Sequence, residues 1–171
     1  MPGTFILKAS YRDRGSPSQI ALESGEVLAL RPAFLQAEQA DSLSSGIRTY
    51  RPFEGDTVVL RDMKSGSFVL FKHSDLTGVH SIAVGIGSGD KSTRAAGGVL
   101  EIRLDSPSGP LLGSAKVAAS NPPKRMEFSV LDLPLTTRIS DGRFHDLYLV
   151  VKNPGSGTEP VVALDWVRFD L

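Results

Sequence analysis

The chain contains no cysteine. That excludes a disulfide framework and any thiolate metal site, and it leaves the compartment undecided. Neither sign of charge is in excess: 19 Lys and Arg balance 19 Asp and Glu over 171 residues, for a formal net charge of zero. No block of like charge stands out, which argues against a nucleic-acid module or a membrane-surface module. No apolar run approaches the roughly 18 residues that a membrane helix requires. The opening "MPGTFILKASYRDRG" lacks the charged start and long apolar core of a signal peptide. The chain therefore reads as a segment that begins inside a larger protein. Aromatic residues are sparse, and none occurs between Val79 and Phe128.

Catalytic motifs are missing as well. No H-E-x-x-H, G-x-S-x-G or P-loop occurs, and "GIGSGD" (85–90) lacks the dinucleotide pattern G-x-G-x-x-G. His73, His80 and His145 are scattered along the chain. Asp105 in "LDSPSG" and Asp141 in "SDGR" are ordinary turn residues. No pair of carboxylates is singled out for glycosidase chemistry. The reading is that the chain is not an enzyme.

What is present is a succession of short apolar runs, punctuated by 17 glycines and 11 prolines. Candidate strands are "TFILKA" (4–9), "EVLALR" (26–31), "AFLQAE" (33–38), "DTVVLR" (56–61), "SFVLFK" (67–72) and "HSIAVGI" (80–86). They continue with "GVLEIRLD" (98–105), "LLGSAKVA" (111–118), "RMEFSVL" (125–131), "HDLYLVVK" (145–152) and "PVVALDWVRFD" (160–170). The clearest is "GVLEIRLD", where Leu100, Ile102 and Leu104 alternate with Val99, Glu101 and Arg103, the pattern of a half-buried strand. Turn signals such as "NPP", "SDGR" and "NPGSG" separate the runs. Only "SPSQIALESG" and "EQADSLSSG" suit one short helix each. The expected fold class is all-β, an antiparallel sandwich of jelly-roll type. Residues 1–32 read as a lead-in hairpin or linker packing on the module, and residues 33–171 as the module itself.

The last strand poses a question. In "VVALDWVRFDL", strict alternation puts Val161, Ala163, Asp165, Val167 and Phe169 on one face, and Leu164, Trp166 and Arg168 on the other. A carboxylate in an apolar row is expensive unless something meets it. Gln36 and Glu38, two apart in "AFLQAE", are oxygen donors on one strand face. If the first and last strands of the module are adjacent, these two and Asp165 form an oxygen set of the kind hard cations take. The other reading is that Glu38 and Asp165 pair with arginines such as Arg31 or Arg168, or face solvent.

Three ordered stretches, "GGVLEIRLDSPSGPLLGSAKVA", "HDLYLVVKN" and "ALDWVRF", together with the opening "LQAEQAD", resemble carbohydrate-binding module family 6. The resemblance covers roughly residues 33–171. It implies a jelly-roll sandwich and a non-catalytic, glycan-binding module appended to an enzyme, with polysaccharide or oligosaccharide and upstream domains of a parent protein as partners. It implies an extracellular or periplasmic location. It also implies a structural calcium at Gln36, Glu38 and Asp165. The family's loop cleft holds a sugar between a Tyr and a Trp with an Asn nearby. The matching positions here are Asp62, Arg125 and Ala163, so that cleft is expected to be degenerate. Asp62, Arg125 and the loop residue Tyr50 remain as sugar-binding candidates. Phe68, Tyr148 and Trp166 are the candidates for a second cleft on a sheet face.

Overall fold

The computed structural model describes residues 5–53, 55, 57–88, 95–120 and 126–171. The chain divides into two compact units, residues 1–32 and 33–171. The first contains a hairpin in which β1 (Phe5–Arg12) pairs antiparallel with β2 (Glu23–Leu30), from Phe5 opposite Leu30 to Arg12 opposite Glu23. Asp13 closes its connection. Its backbone N–H donates to Leu22 O at 3.0 Å, and its Oδ1 accepts from the N–H groups of Gly15 at 2.8 Å and Leu22 at 3.0 Å. Gly15 has φ 60°, and a Cβ there would lie 2.8 Å from Gln19 O, so only glycine suits this turn. The helix expected over "SPSQIALESG" does not form; Ser16 and Gln19 make a β-bridge instead. So short and polar a segment cannot offset helix nucleation, and its Ser-Pro-Ser start favours a turn.

The second unit holds β3 (Phe34–Gln36), β4 (Ser42–Leu43), β5 (Arg48–Tyr50), β6 (Val59–Met63), β7 (Phe68–Asp75) and β8 (Ser81–Gly87). It continues with β9 (Gly98–Leu104), β10 (Leu111–Val117), β11 (Phe128–Pro134), β12 (Phe144–Lys152) and β13 (Val162–Asp170). They form two antiparallel sheets. One is five-stranded, in the order β10-β9-β12-β7-β4. The other is six-stranded, in the order β11-β8-β13-β6-β5, with β3 also pairing β13. A single buried cluster takes Val69, Phe71, Leu100, Ile102, Leu147 and Leu149 from the first sheet, and Leu60, Ile82, Val84, Leu164 and Val167 from the second. The architecture is therefore an all-β antiparallel sandwich, as the short alternating runs predict. No α-helix occurs among the described residues. "EQADSLSSG" supplies only the end of a 3₁₀ turn (Ala37–Gln39) and the short strand β4.

The alternation expected for β13 is broken. The ladder to β8 steps from Leu164 opposite Ile86 to Trp166 opposite Gly85, which leaves Asp165 as an inserted residue. The bulge swaps faces. Val162, Leu164 and Val167 enter the core, while Ala163 leaves it for a separate small cluster. Asp165 is thus no member of an apolar row. It stands where β13 exchanges partners, from β6 (Leu164 opposite Leu60) to β3 (Trp166 opposite Gln36).

Candidate functional site

The bulge decides what Asp165 meets. Glu38, in the 3₁₀ turn that follows β3, lies close enough for its charge to act on Asp165. Burial, and then the Glu38 charge, raise the Asp165 carboxyl above its ordinary 3.8. Glu38 Oε2 is buried with no hydrogen-bond partner, and no salt bridge reaches Glu38 or Asp165 among the described residues. Arg168 is not their partner: its guanidinium binds Asp170 at 2.7 and 3.3 Å. Gln36, half-buried at the end of β3, sits opposite Trp166, the residue after Asp165. Two carboxylates whose charges act on each other, one with an orphaned buried oxygen, fit a hard cation. No group of three or more His, Cys, Asp or Glu side chains suited to a metal occurs among the described residues. A cation here would complete its shell with Gln36 and backbone carbonyls.

The loop-cleft positions are occupied by other interactions. Asp62, at φ 65° in β6, receives Arg48 Nε at 2.7 Å and lies 3.3 Å from Arg61 Nε. The Arg61 guanidinium in turn lies 4.8 Å from the Tyr50 ring centroid. Tyr50 is not a loop aromatic: it belongs to β5, opposite Val59, and is half-buried. With Phe53 it packs against Val59, Met126 and Ala163. Met126 lies over Gly87, where a Cβ would meet its Sδ at 2.9 Å, and it is buried next to Ala163. Phe53 meets Phe128 edge-on at 6.0 Å. Arg125 lies outside the described residues.

The sheet aromatics named from the sequence fall on two different sheets. Trp166 is on the six-stranded sheet, its indole laid over Gly85 so that a Cβ there would be 2.7 Å from Cδ1. Phe34 lies 5.3 Å from it. Phe68 and Tyr148 are on the five-stranded sheet, 5.4 Å apart and edge to face. Leu100, Ile102, Leu147, Leu149 and Val151 point into the core, so their neighbours form the outer face. The register arranges that face in rows. Lys116, Val99 and Lys152 are in line; then Ser114, Glu101, Val150 and Phe68; then Arg103, Tyr148 and Leu70. Arg103 Nε donates to Glu101 Oε2 at 2.8 Å and its Nη1 to Gly109 O at 2.8 Å, which fixes the guanidinium. A cavity of about 500 Å³ lies at one end of the face, lined by Gly98, Val99, Lys116, Val117, Lys152 and Pro154 among others. Glu101 and Arg103 lie within the stretch "GGVLEIRLDSPSGPLLGSAKVA" that carries the family resemblance. Their signal was the alternation of "GVLEIRLD", which already turned both outward.

At the other end of β12 a second polar group is locked. His145 Nδ1 lies 3.1 Å from Asp105 Oδ2, and its Nε2 lies 3.1 Å from Asp141 Oδ2. Burial pulls the imidazole pKa down. The hydrogen bonds and charges of the two aspartates outweigh it, and the net shift is upward from 6.5. This is an internal tie between the β9–β10 turn and the start of β12.

The comparisons agree with this architecture. The profile described as carbohydrate binding module (family 6) matches residues 36–171. A β-1,3-glucan-binding module of that family from Bacillus halodurans shares 24% identity at TM-score 0.62, over 81% of this chain and 95% of its own. A family 6 module from Clostridium cellulolyticum, solved with xylose, shares 25% identity at TM-score 0.60, over 81% of this chain and 96% of its own. A family 36 module solved with calcium and xylotriose shares the fold at 16% identity and TM-score 0.51, over 80% of this chain and 98% of its own. A search of curated proteins found no match. With the family profile spanning most of the chain, the protein belongs to carbohydrate-binding module family 6.

Proposed function

We propose that the chain is a non-catalytic sugar-binding module that holds its ligand on the outer face of the five-stranded sheet, its loop cleft being degenerate. The observation that supports this reading is the contrast between the two places. At the loop cleft, Asp62 is tied to Arg48 and Arg61, and Ala163 is covered by Met126. On the sheet face, Phe68 and Tyr148 stand beside an oriented Glu101–Arg103 pair. An aromatic ring offers its face to the C–H side of a pyranose, while a carboxylate and a guanidinium held by hydrogen bonds present fixed acceptors and donors to hydroxyls. Charge-assisted hydrogen bonds of this kind contribute about 1.5–3 kcal/mol each.

Calcium at Gln36, Glu38 and Asp165 is part of the same reading and is structural, since it would tie β3 to β13. Residues 1–32 would serve as the lead-in from an upstream domain, and the module would direct an attached enzyme to extracellular or periplasmic polysaccharide. Calorimetry of the whole chain against xylan, β-1,3-glucan and cellulose oligosaccharides tests the proposal. Binding is expected to weaken at least about tenfold in Tyr148→Ala and to be unchanged in Asp62→Ala. Loss of binding in Asp62→Ala with Tyr148→Ala intact would move the site back to the loop cleft. Silence across the panel in calcium would favour a purely structural module of the same fold.

A further inference from the structure

Within the proposed sheet-face site, the cavity at its end has an electrostatic character of its own. Lys116 and Lys152 flank Val99 in one row, each directly opposite it in the ladder, so their Cα atoms are about 10 Å apart. Neither ammonium has a hydrogen-bond or salt-bridge partner among the described residues. Both line the same cavity, whose remaining lining includes Gly98, Val99, Val117, Ala118 and Pro154. Glu101, the acid in the next row of this face, is already paired with Arg103 at 2.8 Å. Glu159 lines the adjacent cavity, with Ser120 and Asn153, and has interactions of its own. The result is an apolar floor between two unpaired cations. Two like charges lining one cavity repel, and an anion between them converts that repulsion to attraction on both sides.

We infer that this cavity takes the anionic group of a charged sugar residue, so that the module selects acidic polysaccharide over neutral. The inference rests on the sheet-face reading above and deepens it. Val99 and the walls suit the C–H face of the ring, and the two ammoniums suit a carboxylate or a sulfate ester on it. The test is calorimetry of the whole chain against three sets of oligosaccharides: polygalacturonate, sulfated galactan and neutral xylan or β-glucan. The acidic ligands are expected to bind at least about tenfold more tightly than the neutral ones in about 20 mM salt, and to lose most of that advantage in about 300 mM salt. Lys116→Met with Lys152→Met keeps the apolar stems and should abolish the preference. Lys116→Arg with Lys152→Arg should retain it. The carboxylated and sulfated arms tell which anion is preferred. Equal or weaker binding of both acidic sets, with neutral ligands still bound and dependent on Tyr148, overturns the inference and leaves the sheet-face reading standing. A preference for acidic ligands that survives the double Met variant also overturns it. No binding of any set overturns the sheet-face reading itself.

Discussion

Gly85 is the residue on which the outer side of β13 depends. The indole of Trp166 rests on it, with Cδ1 only 2.7 Å from where a Cβ would stand. Gly85→Ala must displace a half-buried ring, and we expect a loss of about 1–3 kcal/mol in urea unfolding. An unchanged midpoint would mean that the ring moves freely. His145 makes a prediction of the opposite kind, about charge. Its pKa is raised in the folded chain because the bonds to Asp105 and Asp141 outweigh its burial. Its contribution to stability is therefore fully present below its ordinary 6.5 and fades as pH climbs through the raised folded value. The melting temperature should fall as pH rises above 6.5, and this fall should flatten in His145→Gln. A slope identical in the two proteins would remove His145 from the account. How much of this was visible beforehand differs by residue. His145 and its two aspartates were each recognisable as turn or structural residues, yet nothing in the sequence joined His145 to Asp105, 40 positions away, and to Asp141, four away. Trp166 was recognisable as a sheet aromatic, but alternation alone could not say which sheet.

At the scale of the element, β13 holds most of the interest. An extra residue in the middle of a strand reverses the faces beyond it, because side chains alternate with period two. Strict alternation placed Ala163 beside Asp165 and Val167; the bulge at Asp165 separates them. The inserted position is also where the partner strand changes, and the half-buried carboxylate there feels the charge of Glu38. That raised carboxyl pKa has a sign to follow. The folded chain without cation resists ionising Asp165, so this residue favours folding most at low pH and least above its raised folded pKa. Asp165→Asn should therefore raise the melting temperature of chelator-treated protein at neutral pH and remove the response to calcium. A variant less stable than its parent in chelator would contradict the picture of two unrelieved carboxylates.

For the whole molecule, the question is what joins the module's first and last strands. β3 is three residues long and pairs only with Trp166, Val167 and Arg168 of β13. A cation shared between the turn after β3 and the bulge in β13 would reinforce so short a pairing. A ligand that binds only the folded state adds about 2.7 kcal/mol at one hundred times its dissociation constant. For a chain of this size that corresponds to about 5–10 °C in melting temperature. Calorimetric scans in excess calcium and in chelator should differ by that amount, and coincident scans would exclude the site.

The sequence by itself determined the class of fold. Period-two runs separated by Gly, Pro and Asp turns can bury their apolar side chains only as paired strands in two facing layers. It also determined the family, through motifs that lie in order along one strand after another. Local pattern reached no further, because the properties that make a site are relations between residues distant in the chain. Only the tertiary structure put Asp165 on a bulge, covered Ala163 with Met126, and put Tyr50 in a strand beneath Arg61. It likewise set Lys116 and Lys152 on either side of Val99. Each of those outcomes depends on strand register and on one bulge. Register is set by how two layers pack against each other, which no single strand can specify alone.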